Sequence, residues 1–201
     1  MLDAAARRLV DPLLNRAGRR LAATGIAADT VSIAGFLTGL LAASLVAAGR
    51  PLLGLALFLV NRLADGLDGA VARHNGITDR GGFLDIVFDF IVYAAMAYAF
   101  AFLDPPRNAH AAAFLLFAFM GTGSSFLAFA VMASRRGLET AARGKKSLYY
   151  LGGLTEGSET IAFFVAVCLW PAWFPILALV FAAMCWVTTA ARIAAGWRLL
   201  G

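Results

Sequence analysis

Residues 65–89, DGLDGAVARHNGITDRGGFLDIVFD, contain five aspartates, and four of them, Asp65, Asp68, Asp85 and Asp89, lie at the adjoining ends of two apolar segments. Asp65 and Asp68 are three residues apart, and Asp85 and Asp89 are four apart, so each pair occupies one face of a helix. The polar connection between the two segments is short, which makes the helices antiparallel neighbours. The stretch therefore predicts a helical hairpin in which two carboxylate pairs face each other at one depth.

Four facing carboxylates repel one another strongly where the dielectric constant is low. Protonation of some of them, or neutralisation by divalent cations, would relieve this repulsion. The ligand set is all oxygen, which favours Mg²⁺, Mn²⁺ or Ca²⁺ over zinc, and two such ions balance four charges. Two adjacent hard cations typically hold and activate a phosphoryl group, and Gly69 and Gly81 leave room for a ligand. The structural alternative is ion pairing with Arg62 and Arg73, but two arginines are too few for four aspartates.

The composition places this hairpin in a membrane. Of the 201 residues, 61% are hydrophobic and 14% are charged, against about 45–50% and about 25% in soluble domains. A soluble domain of this size has too little interior to bury so much apolar surface. These values argue against a soluble enzyme, a disordered protein and a nucleic-acid-binding domain. Basic loops on one side of a membrane explain the net charge of +5 better than a nucleic-acid partner does.

The chain is expected to form one all-α integral membrane domain over residues 1–201. Residues 1–26 predict an amphipathic juxtamembrane helix at the membrane interface, because apolar residues recur at helical spacing and basic residues fall largely on the other side. The alternative is an ordinary helix packed on the domain. Residues 30–195 predict a bundle of six transmembrane helices of about 20 residues each. The predicted spans are 30–48, 52–72, 82–103, 109–133, 148–169 and 173–195.

The distribution of lysine and arginine predicts the orientation of these spans. Only Arg50 and Arg107 fall in the loops on one side, and the remaining basic residues fall on the other side or near it. Loops rich in lysine and arginine stay in the cytoplasm. Both termini and the aspartate-bearing hairpin are therefore predicted to face the cytoplasm.

The motif in residues 65–89 resembles the signature of the CDP-alcohol phosphotransferase family, also called the CDP-alcohol phosphatidyltransferase family. The matching positions are Asp65, Asp68, Gly69, Ala72, Arg73, Gly81, Asp85 and Asp89. The six spans and the amphipathic entry helix are also similar to that family, so the resemblance covers the whole chain. Residues 121–125 and 146–160 resemble a bacterial inner-membrane branch of it. The resemblance implies a multi-pass protein of the inner (cytoplasmic) membrane and a homodimer.

The resemblance also implies a reaction in phospholipid biosynthesis. In the family a CDP-linked lipid, usually CDP-diacylglycerol, gives its phosphatidyl group to an alcohol, and CMP leaves. Carried onto this chain, Asp65, Asp68 and Asp85 would bind metal, and Asp89 would be the general base and also touch a metal. The expected cofactors are two divalent cations, Mg²⁺ or otherwise Mn²⁺. The residues implied in binding the donor nucleotide and its phosphates are Asp65, Gly69, Ala72, Arg73 and Gly81.

Charged residues near the fifth and sixth predicted spans indicate two different acceptors. Lys146 and Arg192 are candidates for holding the phosphate of an acceptor such as glycerol phosphate or inositol phosphate. Glu156 and Glu159 are three residues apart in the predicted fifth span, and carboxylates within a membrane are usually functional. They would bind an amino alcohol or a neutral polyol, or they would pair with Arg192.

A divalent-cation transporter is an alternative of a different class, with aspartates lining the pathway. The carboxylates cluster near one surface, and the sequence has no matching acidic pair at the other face, which favours the transferase. An inactive scaffold is a further alternative, and the intact set of four aspartates argues against it.

Overall fold

The computed structural model describes residues 2–137 and 153–201 as a set of helices. In chain order these are α1 (Leu2–Ala23), α2 (Ala28–Ala47), α3 (Pro51–Asn75), α4 (Asp79–Leu103), α5 (Pro105–Arg135), α6 (Gly157–Leu169) and α7 (Phe174–Leu200). A short 3-10 turn, Pro171–Trp173, precedes α7. All the regular structure in the two described ranges is helical, which confirms the predicted all-α class.

Residues that favour helix ends determine the bounds of α3 and α4. Pro51 occupies the first position of α3, where its missing N–H costs no hydrogen bond. Gly76 ends α3 with a φ of 106°, in the left-handed region that favours glycine. Thr78 then caps α4, and its hydroxyl accepts a hydrogen bond from the backbone N–H of Gly81 at 3.0 Å. The connection between the two helices is therefore short, as predicted.

Packing differs from the predicted hairpin because α2 packs closely against both α3 and α4. The backbones of α3 and α4 themselves make few close approaches, and the two helices meet through side chains. Aromatic rings join the remaining helices. Phe58 of α3 packs against Phe164 of α6 with ring centroids 5.4 Å apart, and Phe100 of α4 stacks on Phe174 of α7 at 4.4 Å.

Four segments of the described chain are long and apolar enough to cross a membrane, namely α2, α4, α5 and Pro171–Leu200. Helix α3 has 25 residues, but it carries Arg62, Asp65, Asp68 and Arg73 and is not among the four. Helix α6 has 13 residues, or about 20 Å at 1.5 Å per residue, against a hydrocarbon core of about 30 Å. The four candidate spans in the described ranges support a membrane protein.

The predicted fifth span, 148–169, is not one continuous helix. Residues 148–152 lie outside the described part of the chain, residues 153–156 are not helical, and α6 begins only at Gly157. The backbone N–H groups of Leu154 and Thr155 donate to the hydroxyl of Thr188 at 3.1 and 3.0 Å. A side chain on α7 thus satisfies backbone groups that a helix would otherwise use, and the apolar run alone does not indicate this.

Helix α1 packs directly on α3. Gly18 faces Ala70, and a Cβ added at Gly18 would lie 2.5 Å from the Cβ of Ala70. Gly66 faces Leu14 in the same way, with 2.6 Å to its Cδ1. The predicted N-terminal helix is therefore present and contacts the domain through close approaches that glycine permits.

Candidate metal centre

Three of the four motif aspartates bring their carboxylates together where α3 ends and α4 begins. One oxygen from each of Asp65, Asp68 and Asp85 lies within 4.8 Å of the other two. Asp65 and Asp68 are one turn apart on α3, and Asp85 lies in the second turn of α4. Carboxylate oxygens are the ligands that Mg²⁺ and Mn²⁺ prefer, so this spacing fits three ligands of one hard divalent cation.

Helix α2 contributes Ser32 to this cluster. Asp68 is the most buried of the three aspartates, and Ser32 donates its hydroxyl to Asp68 Oδ2 at 2.5 Å. A hydrogen bond to a carboxylate is short and strong because one partner is charged. The same hydroxyl lies 3.1 Å from the carbonyl oxygen of Ala28, one turn earlier in α2. Ser32 therefore fixes the orientation of a candidate ligand from a helix that the sequence motif does not include.

Asp89 is outside the group of three because Arg62 holds it in an ion pair. Arg62 Nη1 donates to Asp89 Oδ1 at 2.7 Å and to the Tyr93 hydroxyl at 2.8 Å. The same nitrogen lies 4.0 Å from Asp65 Oδ2. Ion pairing, the structural alternative, thus applies to Asp89, while Asp65, Asp68 and Asp85 gather as candidate metal ligands.

The Arg62 guanidinium is enclosed, with a side chain that is only 8% exposed. Its Nε donates to Asn61 Oδ1 at 2.8 Å, and its Cζ lies 5.6 and 4.8 Å from the ring centroids of Phe58 and Tyr93. Asn61 in turn donates to the Gly35 carbonyl on α2 at 2.9 Å. Asn61 and Tyr93 thus contact the site from outside the motif. In the sequence, the signal for Asn61 is a polar residue within an apolar part of the helix.

A cavity is lined both by the three gathered aspartates, Asp65, Asp68 and Asp85, and by the ion pair of Arg62 and Asp89. Its walls come from α2, α3 and α4 and include all four aspartates, Arg62 and Ser32. The candidate ligands and the ion pair of Asp89 therefore share one space.

Of the predicted donor-binding residues, Asp65 lines this cavity, and the other four lie on α3 and α4 outside its lining. Arg73 is exposed and donates to Asn15 Oδ1 of α1 from Nη2 at 2.8 Å and from Nε at 3.3 Å. A Cβ added at Gly69 would lie 3.5 Å from Arg73 Nη1 and within 4 Å of no other described neighbour, so this turn of α3 has open space beside it. Ala72 is half-buried, and Gly81 donates its backbone N–H to the cap of α4.

The predicted acceptor residues Glu156 and Glu159 form the capping box of α6. Glu156 Oε1 accepts from the backbone N–H of Gly153, and Glu159 Oε2 accepts from the backbone N–H of Glu156, both at 3.2 Å. The Glu156 side chain also accepts from the backbone of the third helical residue. Such reciprocal bonds satisfy N–H groups that have no partner within the helix. Both carboxylates therefore stabilise the start of α6.

Arg192 lies buried between α7 and α5. Its Nη1 donates to the carbonyl oxygen of Thr122 at 3.1 Å, and its Cζ lies 5.6 Å from the ring centroid of Phe126. Lys146, the other predicted acceptor cation, lies outside the described residues.

The fold is similar to that of solved enzymes that share little sequence with this chain. Two structures of the phosphatidylinositol phosphate synthase of Mycobacterium tuberculosis match at 22% identity. The structure with CDP-DAG bound has a TM-score of 0.65 and covers 92% of this chain and 94% of that chain. The structure with manganese and citrate has a TM-score of 0.67 and covers 92% and 88%. At this identity the likeness concerns the fold alone.

Comparison of the amino-acid sequence with known proteins identifies relatives and a family. Inner membrane protein YnjF of Escherichia coli is 48% identical over 200 residues, which is 100% of this chain and 97% of the relative, and this agrees with the predicted branch. Archaetidylinositol phosphate synthase of Pyrococcus horikoshii is 36% identical over 89 residues, 44% of this chain and 47% of the relative. The family model for CDP-alcohol phosphatidyltransferase matches residues 26–194. The motif, the helical fold and these matches together establish that the chain belongs to the CDP-alcohol phosphatidyltransferase family.

Proposed function

We propose that the protein transfers a phosphatidyl group from CDP-diacylglycerol to an alcohol, releases CMP and depends on a divalent cation. The observation that carries this proposal is the meeting of Asp65, Asp68 and Asp85 within 4.8 Å at the motif of a family member. The solved relatives with CDP-DAG and with manganese support the choice of donor and of a divalent ion.

In the proposed reaction the acceptor hydroxyl oxygen attacks the phosphorus of the phosphatidyl group. A new P–O bond forms while the bond from that phosphorus to the bridging oxygen of the CMP phosphate breaks, and CMP leaves with the electron pair. Asp89 accepts the proton of the hydroxyl, because an alcohol is a weak nucleophile until a positioned base takes its proton. A bound Mg²⁺ or Mn²⁺ supplies a positive charge that polarises the pyrophosphate and stabilises the leaving group.

Asp89 is suited to act as the base because its carboxylate is both oriented and accessible. Arg62 fixes Oδ1 at 2.7 Å, and about a third of the side chain (33%) is exposed, which leaves the side chain within reach of an incoming hydroxyl. Asp65, Asp68 and Asp85 would hold the ion. A role for Asp89 as a further ligand, with a second ion, requires it to leave Arg62.

The donor is proposed to lie along the last turns of α3. Arg73 would contact the donor phosphates, and Gly69 and Ala72 would make room for the nucleotide, since space is open beside Gly69. Gly81 would permit close approach at the start of α4. Asp65 would act on the donor through the ion that it binds.

A phosphorylated acceptor, such as glycerol phosphate or inositol phosphate, is the proposed acceptor class. Glu156 and Glu159 are engaged as the cap of α6, which supports a structural role for them rather than recognition of an amine. Arg192 offers a buried cation at the α5–α7 interface for an acceptor phosphate, and Lys146 would be a second one. A neutral polyol or an amino alcohol is the alternative, in which the two glutamates bind the acceptor.

The membrane arrangement proposed for the chain is one domain, 1–201, with six spans over 30–195. Helix α3 and the segment 148–169, which contains most of α6, would complete the six. The region 1–26 would lie at the membrane interface, with α1 packed on α3. Both termini and the aspartates would face the cytoplasm because basic residues concentrate on that side. The proposed location is the inner (cytoplasmic) membrane, in contact with membrane lipid, and the proposed assembly is a homodimer.

The test measures CMP release by the purified protein supplied with CDP-diacylglycerol and Mg²⁺. The acceptor panel contains glycerol phosphate, inositol phosphate, free inositol and an amino alcohol. The matched control is Asp68→Asn, which removes one candidate ligand at nearly constant size. CMP release that needs both the ion and one acceptor, and that the control lacks, is the expected result. Uptake of divalent ions into vesicles without CMP release from any panel member would contradict the proposal and support the transporter.

A further inference from the structure

Arg62 occupies a position between two of the four aspartates. Its Nη1 lies 2.7 Å from Asp89 Oδ1 and 4.0 Å from Asp65 Oδ2. A second divalent ion bound through Asp89 beside the first would have to sit in this same space between the carboxylates of α3 and α4.

The guanidinium is fixed there by several independent contacts. Its Nε donates to Asn61 Oδ1 and its Nη1 donates to the Tyr93 hydroxyl, at 2.8 Å each, and the rings of Phe58 and Tyr93 lie against it. Arginine keeps its positive charge at every pH at which proteins fold. The Arg62 side chain is enclosed, with only 8% of it exposed. If it moved away to admit an ion, it would lose all these contacts.

We infer that Arg62 replaces the second divalent cation, so that this site binds one metal ion, at Asp65, Asp68 and Asp85. The inference rests on the proposed metal-dependent function and changes its expected number of ions from two to one. Arg62 neutralises Asp89 in place of an ion and holds it as the base. The repulsion between a doubly charged ion and a fixed guanidinium at such distances then excludes a second metal.

Manganese provides a direct count of the ions. The full chain, purified in detergent and stripped of metal, is titrated with Mn²⁺, and bound manganese per chain is measured by elemental analysis and by electron paramagnetic resonance. We expect one ion per chain and the six-line signal of isolated Mn²⁺. Two ions per chain with the exchange-coupled spectrum of a manganese pair would overturn the inference, even if CMP release proceeds normally. Absence of bound manganese would overturn the metal-dependent function as well.

Variants of Arg62 test whether this residue sets the count. Arg62→Met keeps an unbranched side chain against Phe58 and Tyr93 but removes the charge, and we expect two ions per chain with a coupled spectrum. Arg62→Lys keeps the charge and is expected to bind one ion. Adding Asp89→Asn to Arg62→Met should return the count to one. A count of one in folded Arg62→Met would overturn the role assigned to Arg62, and the count in the wild-type chain decides the number of ions even if that variant does not fold.

Discussion

The replacement of Ser32 by alanine tests how far α2 determines metal binding. The substitution removes the hydroxyl that donates to Asp68 Oδ2 at 2.5 Å and leaves the carboxylate otherwise in place. A hydrogen bond to a charged group contributes about 1.5–3 kcal/mol. At about 1.4 kcal/mol per factor of ten, this corresponds to a loss of roughly tenfold to 150-fold if the bond holds Asp68 in its ligating orientation. Loss of partners that orient metal ligands typically costs about 10- to 100-fold in affinity, which agrees.

The assay measures the dissociation constant for Mn²⁺ by titration with detection of free manganese. Ser44→Ala is the matched control, because Ser44 also lies on α2 and bonds the carbonyl one turn before it, at 2.9 Å, but is exposed and away from the carboxylates. We expect Ser32→Ala to weaken binding and Ser44→Ala to leave it unchanged. Equal affinities for the two variants would refute the reasoning. Tighter binding in Ser32→Ala would refute it too, since Ser32 would then compete with the ion for Asp68.

Three further predictions concern the base, the acceptor side and α1. Asp89→Asn should abolish transfer but keep binding of Mn²⁺ and CDP-diacylglycerol, whereas Asp65→Asn should lose the binding of Mn²⁺ and of CDP-diacylglycerol. Equal loss of donor binding in the two variants would instead identify Asp89 as a metal ligand. Glu156→Gln should lower the free energy of unfolding by about 1 kcal/mol, as loss of a helix cap does, with little change in the acceptor KM. Arg192→Met should raise the acceptor KM by about tenfold or more. A larger rise in KM for Glu156→Gln than for Arg192→Met would favour an amino alcohol or a neutral polyol as the acceptor. Gly18→Val places a side chain where even a Cβ lies 2.5 Å from the Cβ of Ala70 on α3. The thermal midpoint in detergent should therefore fall by an amount equivalent to about 1–3 kcal/mol. An unchanged midpoint would contradict the packing of α1 on α3.

Local spacing predicted that all four motif carboxylates would meet, and three of them do. Asp65 and Asp68 share a face of α3 whatever the tertiary structure, and the short connection to α4 brings Asp85 to the same end of the bundle. Which of the four aspartates pairs with Arg62 was not predictable in this way. It depends on the rotation of α4, which places Asp89 and Tyr93 toward Arg62, and on the packing of α2 between the backbones of α3 and α4.

The start of α6 illustrates the same limit. An apolar run predicts a helix through residues 153–156, and tertiary contacts override it. The hydroxyl of Thr188 satisfies the backbone of Leu154 and Thr155 from more than thirty residues away in sequence, at 3.1 and 3.0 Å. Two glutamates that look like intramembrane functional groups on a continuous helix become the cap of a shorter one. Helix boundaries inside apolar runs are therefore set by long-range polar contacts that hydropathy does not record.

Helix α3 explains why the motif mixes small and charged residues. Gly66, Ala70 and Arg73 recur every three or four residues and form the face on which α1 packs. Asp65 and Asp68 occupy a different face of the same turns, because successive residues are rotated by about 100°. The residues that dock α1 and those that hold the candidate ligands thus alternate within nine positions of one rigid helix. A displacement of α1 would move the exposed Arg73, which Asn15 holds, without moving the carboxylates. We therefore expect changes at the α1 interface to alter donor affinity while the affinity for Mn²⁺ stays constant.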